Sequence, residues 1–398
     1  LFITLATYLL WRMWQTDGWT WRPWLAAAVG LGLAFGGKLS SLAFVPIWIV
    51  LAALPLYGRA RHSPRRAAGR RLLQLLTSGM ASLIVVWLIY GLDWGNFLFL
   101  DPRLSALNAI RGPMPPFWSG IERILFLSVG GRPAFLMGEF YSEGFPLYFP
   151  VAFAVKTPLL ALAFFFFAAL LLLVIKRTRQ TAVFLLLPIL IYFALSMVSA
   201  LNIGYRHLLP ILPFVYLLIA GLASPKVGQW LNNRFHQRPN MVYVPRALVL
   251  LLVFGLLFID VRIHPHYLST FNSLAGGPEN GHRFLVDSNI DWGQDLLRLR
   301  AWTAENDVQD LKLGWFGTAD PDDYGLAYEP LPGSPRQPFY GQWTEPPFTT
   351  TAPESGIYAI SASALWELPL AENNDYPWFR DRPPAERIGY SSLIYEVP

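Results

Sequence analysis

The sequence predicts an α-helical polytopic membrane protein with about seven to eight spans, followed by a C-terminal extracytoplasmic domain of mixed α/β structure. Its 398 residues are 54% hydrophobic and only 14% charged, whereas soluble domains carry about 25% charged residues. The charge is also divided unevenly along the chain. Residues 1–262 hold 23 Lys and Arg against 7 Asp and Glu, and residues 263–398 hold 8 against 19. This division is typical of a membrane region joined to a separate polar domain.

The composition excludes several classes of protein. The chain has more apolar surface than an intrinsically disordered protein carries. Its basic residues lie between apolar runs rather than on one polar face, which argues against a nucleic-acid partner. The sequence contains no cysteine, so disulfides, zinc–thiolate sites and cysteine nucleophiles are excluded.

The apolar runs predict where the spans lie, since a spanning helix needs about 20 predominantly apolar residues. The clear candidates are Leu72–Trp94, Phe149–Ile175, Thr181–Leu201, Leu208–Ser224 and Ala247–Ile263. Trp24–Tyr57 is long enough for two short spans that meet at a break over Gly36–Ser41. Because the chain opens inside another apolar run, Leu1–Trp14, we expect the sequence to be the C-terminal part of a longer protein.

Basic loops predict the orientation of these spans. They are the segments 59–71, 176–179 and 226–246, and under the positive-inside rule all three lie in the cytoplasm. The outer loop 95–147, the short segment 202–207 and the tail from about residue 264 are then extracytoplasmic. The predicted domains are a transmembrane region, residues 1–263, and an extracytoplasmic domain, residues 264–398.

The tail changes in character, with turn residues between short β-prone segments. The predicted strands are Lys312–Phe316, Gly356–Ser361 and Ser392–Val397, and the predicted helix is Asp291–Asn306. In the same region Asp287, Asn289 and Asp291 alternate as in a calcium loop. The glycine falls one place late for an EF-hand and no glutamate closes the loop. Asp291 as the cap of the predicted helix is the simpler interpretation.

Cationic side chains at the predicted outer ends of spans are the first candidate site. Arg206 and His207 stand at the mouth of a span, where a guanidinium is suited to bidentate contact with a phosphate. The alternative is that Arg206 only anchors the helix end at the interface. Lys156 lies about eight residues into a predicted span, a costly position that indicates function. Lys38 lies at the predicted helix break, where it can also reach water.

Carboxylates in the outer loop are the weaker candidates for catalysis. Glu139 and Glu143 are candidate general bases, with Asp101 and Glu122 behind them. The alternative is that they are solvated. Aromatic residues beside glycine and proline in the loop suit an amphipathic element on the bilayer or a sugar-stacking surface.

Four segments in order resemble bacterial phospholipid-carrier-dependent glycosyltransferases of the protein-O-mannosyltransferase-like group, which have the GT-C fold. They are Gly30-Leu-Gly-Leu-Ala-Phe-Gly-Gly-Lys-Leu-Ser40, Tyr148-Phe-Pro-Val-Ala-Phe-Ala-Val-Lys-Thr-Pro158, Asn202-Ile-Gly-Tyr-Arg-His-Leu-Leu-Pro210 and Asp287-Ser-Asn-Ile-Asp-Trp-Gly-Gln-Asp295. The resemblance extends over nearly the whole chain, and the ordered set is more specific than any single segment.

The resemblance implies a multi-pass enzyme of the bacterial cytoplasmic membrane that takes a mannose-like hexose from a polyprenyl-phosphate carrier. The acceptor is a protein, a lipid or a glycan on the outer face. The resemblance further implies that Arg206 and His207 face the carrier phosphate, with Lys156 and Lys38 as further cations. Asp287, Asn289, Asp291 and Trp292 are then expected near the active face.

The sequence departs from the family at the catalytic carboxylate. In the family an Asp or Glu of the first outer loop is expected to act as general base or to position the acceptor, and we expect it to precede residue 1. The sequence assigns no cofactor and does not decide whether a divalent metal is needed. The ligands of such a metal are expected to precede residue 1, like the catalytic carboxylate. The alternatives are a transporter or flippase for a lipid-linked sugar and a non-catalytic membrane subunit.

Overall fold

The computed structural model describes most of the chain as two compact units. The described residues are 1–16, 18–54, 64–130, 134–141, 144–235, 239–317, 319–331, 353–366 and 376–398. The first unit contains residues 1–130, 163–199 and 208–253, and the second contains residues 131–162, 200–207 and 254–398. The second unit therefore includes residues 131–162, 200–207 and 254–263, which precede residue 264, in addition to the predicted C-terminal domain.

The first unit is built of helices. It begins with α1 (Phe2–Gln15) and α2 (Trp21–Gly37), which pack against each other. A 3-10 turn, Leu39–Phe44, separates α2 from α3 (Val45–Ala53). The helix break predicted over Gly36–Ser41 is therefore present, and α4 (Pro64–Ile89) packs against both α2 and α3.

The predicted outer loop contains short, ordered elements. Strands β1 (Trp94–Asn96) and β2 (Arg111–Pro113) form an antiparallel pair, and α5 (Pro115–Gly130) follows. The second half of α5 exposes four apolar side chains, Leu125, Phe126, Leu127 and Val129. A hairpin, β3 (Ala134–Leu136) and β4 (Glu139–Tyr141), belongs to the second unit.

Fewer helices than predicted have the length and apolarity to cross a membrane. Within the described residues three qualify, Arg65–Ile89, Arg179–Val198 and Asn240–Ile263, or up to five if each of two bent pairs counts as one span. The structure thus supports three to five candidate spans instead of seven to eight. α1, α2 and α3 contain 14, 17 and 9 described residues and are not among these candidates.

The bent pairs explain part of this difference. The predicted span Phe149–Ile175 is two helices, α6 (Tyr148–Lys156) and α7 (Leu159–Val174), with a bend of 112° between them. Pro158 causes the break, because it lacks an N–H and disfavours the helical conformation at Thr157, whose backbone is extended.

The remaining helices follow the predicted spans more closely. The α8 helix (Arg179–Val198) lies at a predicted span. The span predicted at Leu208–Ser224 contains only α9 (Leu212–Ala220) and a 3-10 turn before a 45° bend to α10 (Pro225–Arg234). The last apolar helix is α11 (Val244–Ile263).

A five-stranded mixed sheet forms the core of the C-terminal part of the second unit. Its strands are β5 (Leu311–Gly314), β6 (Glu329–Pro330), β7 (Gly356–Ser361), β8 (Glu386–Ile388) and β9 (Ser392–Val397), in the order β6-β5-β7-β9-β8. β5 is parallel to β6 and β7, and the other pairs are antiparallel.

Both faces of this sheet are covered. The helix α12 (Leu296–Glu305) packs on one face through Leu296 and Leu299. The short helices α13 (Ala362–Trp366) and α14 (Pro377–Arg380) pack on the other through Leu365 and Phe379. β7 and β9 have the predicted bounds, whereas α12 begins five residues later than the predicted helix.

Candidate functional site

Asn289 joins three of the four quoted segments in the second unit. Its side chain is 1% exposed. Oδ1 accepts from the Tyr205 N–H at 2.8 Å, and Nδ2 donates to the Tyr148 hydroxyl and to the Val286 carbonyl, each at 2.9 Å. Residues far apart in sequence are therefore held around one buried amide. The fourth segment, Gly30–Ser40, belongs to the first unit.

The side chains of Ser288 and Asp287, next to Asn289, form further hydrogen bonds to backbone groups. The Ser288 hydroxyl donates to the Ile203 carbonyl. Gly204 has a φ of +144°, and a Cβ at this position would overlap the Ser288 hydroxyl. Asp287 adopts the left-handed conformation at φ +56°, where its carboxylate accepts from the Ser288 N–H at 2.5 Å. Glycine at position 204 is required because both the conformation and the close approach exclude a side chain.

Lys156 lies at the helix break and makes three contacts within the second unit. Its Nζ donates to the carbonyls of Leu268 at 2.6 Å and Asn289 at 2.5 Å, and lies 4.2 Å from the centre of the Phe271 ring. The helix of the predicted span is interrupted at this residue, because α6 ends at Lys156. Among the described residues two of its three N–H donors have carbonyl acceptors, and the Phe271 ring covers the ammonium group.

Arg206 belongs to a 3-10 turn, Tyr205–Leu208, which the Tyr205–Asn289 hydrogen bond holds in place. Its guanidinium carbon lies 5.1 Å from the centre of the Trp292 ring. Within the described part of the chain no carboxylate forms an ion pair with Arg206. The neighbouring His207 ring lies 6.2 Å from the Phe149 ring. A half-buried guanidinium stacked on an aromatic face keeps its planar N–H edge available to an oxyanion.

Asp291 is fully buried and bound to the protein, which differs from the capping role predicted for it. Its Oδ1 accepts from the Gly293 N–H at 2.9 Å and its Oδ2 accepts from the Ser361 hydroxyl. Asp295, not Asp291, precedes the first residue of α12. Burial raises the pKa of Asp291 from its ordinary value of 3.8 to about 7, and the nearby carboxylates Asp295 and Asp287 add to the rise.

We expect this carboxyl group to make stability depend on pH. Between about pH 4 and pH 7 the unfolded chain releases the Asp291 proton while the folded chain retains it. The free energy of unfolding therefore falls as pH rises through this range, by up to about 4 kcal/mol. Denaturant titrations of the purified protein, followed by tryptophan fluorescence at pH 4 to 8, should show a weaker pH dependence in D291N than in the wild type. D323N, at an exposed aspartate, should retain the wild-type slope; the same slope in D291N would contradict the interpretation.

The other predicted site residues belong to other elements or lie outside the described residues. Lys38 follows the last residue of α2 and is exposed in the first unit. Glu139 is exposed in the β3–β4 hairpin, and Glu143 lies outside the described residues. Glu122 accepts backbone N–H groups of Leu100 and Asp101, so its carboxylate stabilises the loop.

The structure gives no geometric support for a cation at the calcium-like spacing. Asp287, Asn289 and Asp291 each bind different protein groups. Over the described ranges, no three His, Asp or Glu side chains lie close enough together to hold a metal ion.

Sequence reasoning missed three residues that complete the cluster. Asn272 donates from Nδ2 to the carbonyls of Ala154 at 2.6 Å and Thr157 at 2.7 Å, and thereby binds the end of α6. Phe271 covers the Lys156 ammonium group, and Ser361 binds Asp291. Each comes from a segment more than 60 residues away from its partner, and no local pattern in the sequence marks it.

The chain was compared with protein-family models, with curated proteins and with solved structures, and none of the three comparisons found a match.

Proposed function

We propose that the protein is a membrane glycosyltransferase that transfers a mannose-like hexose from a polyprenyl-phosphate carrier to a protein, lipid or glycan acceptor. The proposed site of transfer is the outer face of the bacterial cytoplasmic membrane. The observation that carries the proposal is the Arg206 guanidinium, which stacks on Trp292 and forms no ion pair with a described carboxylate. Such a group is suited to bind the phosphate of the carrier.

The membrane location is supported by the apolar helices and by α5. Three to five helices or bent helix pairs have the length and composition of membrane spans. The apolar residues exposed on α5 would lie in the interfacial region of the bilayer, as in other amphipathic helices. The basic loops between the helices favour the orientation with residues 202–207 and the C-terminal sheet outside.

The charge change during transfer explains why cations are needed. A sugar on polyprenyl phosphate is held by a phosphodiester that carries one negative charge. When the bond between the anomeric carbon and the phosphate oxygen breaks, the leaving group becomes a phosphate monoester with a second charge. Arg206 would stabilise this developing charge electrostatically. The positive charge of Lys156 would add to this stabilisation, because its ammonium group binds the Asn289 carbonyl and the Asn289 side chain binds Tyr205, next to Arg206.

A transporter for a lipid-linked sugar is the second candidate. It is favoured by the helix break at Thr157-Pro158 with a lysine beside it, since transporters bind charged substrates at broken helices. The glycosyltransferase is preferred because a domain built on a five-stranded sheet follows the last apolar helix, and the given residues contain no internal repeat of the kind that transporter folds commonly have.

Transfer of label from a defined donor tests the proposal. Membranes that contain the protein are expected to move radiolabelled mannose from polyprenyl-phosphate-mannose into a covalent product, and to leave nucleotide-linked mannose unused. A transporter would instead carry the label across the membrane while it stays attached to the lipid. Equal labelling of the product in membranes with and without the protein would contradict the proposal.

A further inference from the structure

A polar cavity of about 470 Å³ opens beside the edge strand β8 of the second unit. Its volume is within the range of small-molecule sites, roughly 300–1,000 Å³. It is lined by His266, Glu279, Glu386, Arg387, Gly389 and Tyr390, among others. None of these residues takes part in the carrier-phosphate site proposed above, so the cavity needs its own explanation.

The wall of the cavity is held by buried polar contacts. The His266 ring stands edge-on to the Tyr390 ring at 5.3 Å, and its Nδ1 lies 3.8 Å from Oδ1 of the fully buried Asp295. Asp295 in turn accepts from Arg298 at 2.6 Å and from the Ser391 hydroxyl at 2.7 Å. Side chains fixed in this way are preorganised, which lowers the entropic cost of binding a ligand.

The charged groups of the cavity are only loosely bound to each other. Arg387 and Glu279 form an ion pair in which Nη1 lies 3.9 Å from the carboxylate, beyond hydrogen-bond distance, and the buried Arg387 Nε has no acceptor among the described residues. Glu279 is 66% exposed. One carboxylate oxygen of Glu386 accepts from the Trp302 indole at 2.8 Å. The lining thus includes a guanidinium and two carboxylates.

The charges of the lining decide between classes of ligand. With two carboxylates against one guanidinium and one imidazole, the lining has no net positive charge, which disfavours an anion, and its polarity disfavours an apolar molecule. A neutral ligand rich in hydroxyl groups matches both the donors and the acceptors, and the Tyr390 ring offers an apolar face for C–H groups. We propose that this cavity is a saccharide-binding site. If the proposed function is correct, it holds the glycan of the acceptor substrate.

Ligand-observed NMR on the purified protein in nanodiscs tests the proposal without any carrier lipid. The probes are mannobiose, maltose, lactose and diacetylchitobiose, with inorganic phosphate as the anionic alternative. At least one disaccharide is expected to show saturation transfer from the protein, and E279A should weaken its binding at least tenfold. E354A is the matched control, because Glu354 is 89% exposed in the same unit, outside the cavity lining, and should leave binding unchanged.

Three results would overturn the proposal: no disaccharide binds, only phosphate binds, or E279A and E354A have the same effect. R387M provides a second variant, and loss of saccharide binding with an unchanged melting temperature is expected. Because none of these measurements involves polyprenyl phosphate, a failure here leaves the proposed carrier site unaffected, and the converse also holds.

Discussion

R206A is expected to weaken the binding of polyprenyl phosphate about 10- to 100-fold, the loss that follows from removing one hydrogen-bonded charge partner. Sugar transfer should fall further, by about two to three orders of magnitude, because the developing charge on the leaving phosphate loses its stabilising cation. Binding is measured by titrating the purified protein with polyprenyl phosphate, and transfer by the radiolabel assay. R206K keeps the charge but not the bidentate geometry, so its effect should be intermediate.

R262A is the matched control for this experiment. Arg262 is an exposed arginine in the last turn of α11, on the predicted outer side of the membrane. If Arg206 only anchors a helix end at the interface, both variants should have the same small effect. Equal binding by R206A, R262A and the wild type would contradict the phosphate role of Arg206.

N289A is expected to destabilise the second unit by about 3–5 kcal/mol. The substitution removes three hydrogen bonds to Tyr205, Tyr148 and Val286 at a position that is 1% exposed. Their buried partners are left unsatisfied, at about 1–3 kcal/mol each in the least favourable case. At about 2–4 °C per kcal/mol for a unit of this size, the melting temperature should fall by about 10 °C, as measured by tryptophan fluorescence.

The matched control for this prediction is N306A. Asn306 is exposed at the end of α12, and its single side-chain hydrogen bond is to the Trp302 carbonyl. N306A should change stability by less than about 0.5 kcal/mol, as most surface substitutions do. If N289A melts at the same temperature as N306A, Asn289 does not join the three segments in the way the structure indicates.

The sequence alone predicts β7, β9 and the break after α2, because each depends on residues that are adjacent in the chain. The bounds of β7 and β9 were correct because each is a short apolar run between turn residues. The break after α2 followed from two glycines and a polar segment. Two differences between the predicted and the observed helices also have a local cause in the sequence. Pro158 ends α6, and Gly293, with a φ of +80°, prevents a helix from starting at Asp291.

The candidate site was only partly predictable, because its contacts are long-range. The sequence identified Arg206, Lys156 and Asn289 as candidates, but not the contacts that fix them. Asn289 and Tyr148 are separated by 141 residues, and Lys156 and Asn289 by 133. The number of spans was overestimated because apolar composition alone does not reveal where a helix bends or ends.

Cross-linking with a photoreactive polyprenyl phosphate tests the central claim most directly. The claim is that residues 148–157, 202–207 and 287–295 form one site for the carrier phosphate. After irradiation, mass spectrometry is expected to find the probe on peptides from these segments, with less labelling when unlabelled polyprenyl phosphate competes and no change when neutral polyprenol competes. Labelling that avoids all three segments, or that polyprenol displaces equally well, would contradict the claim.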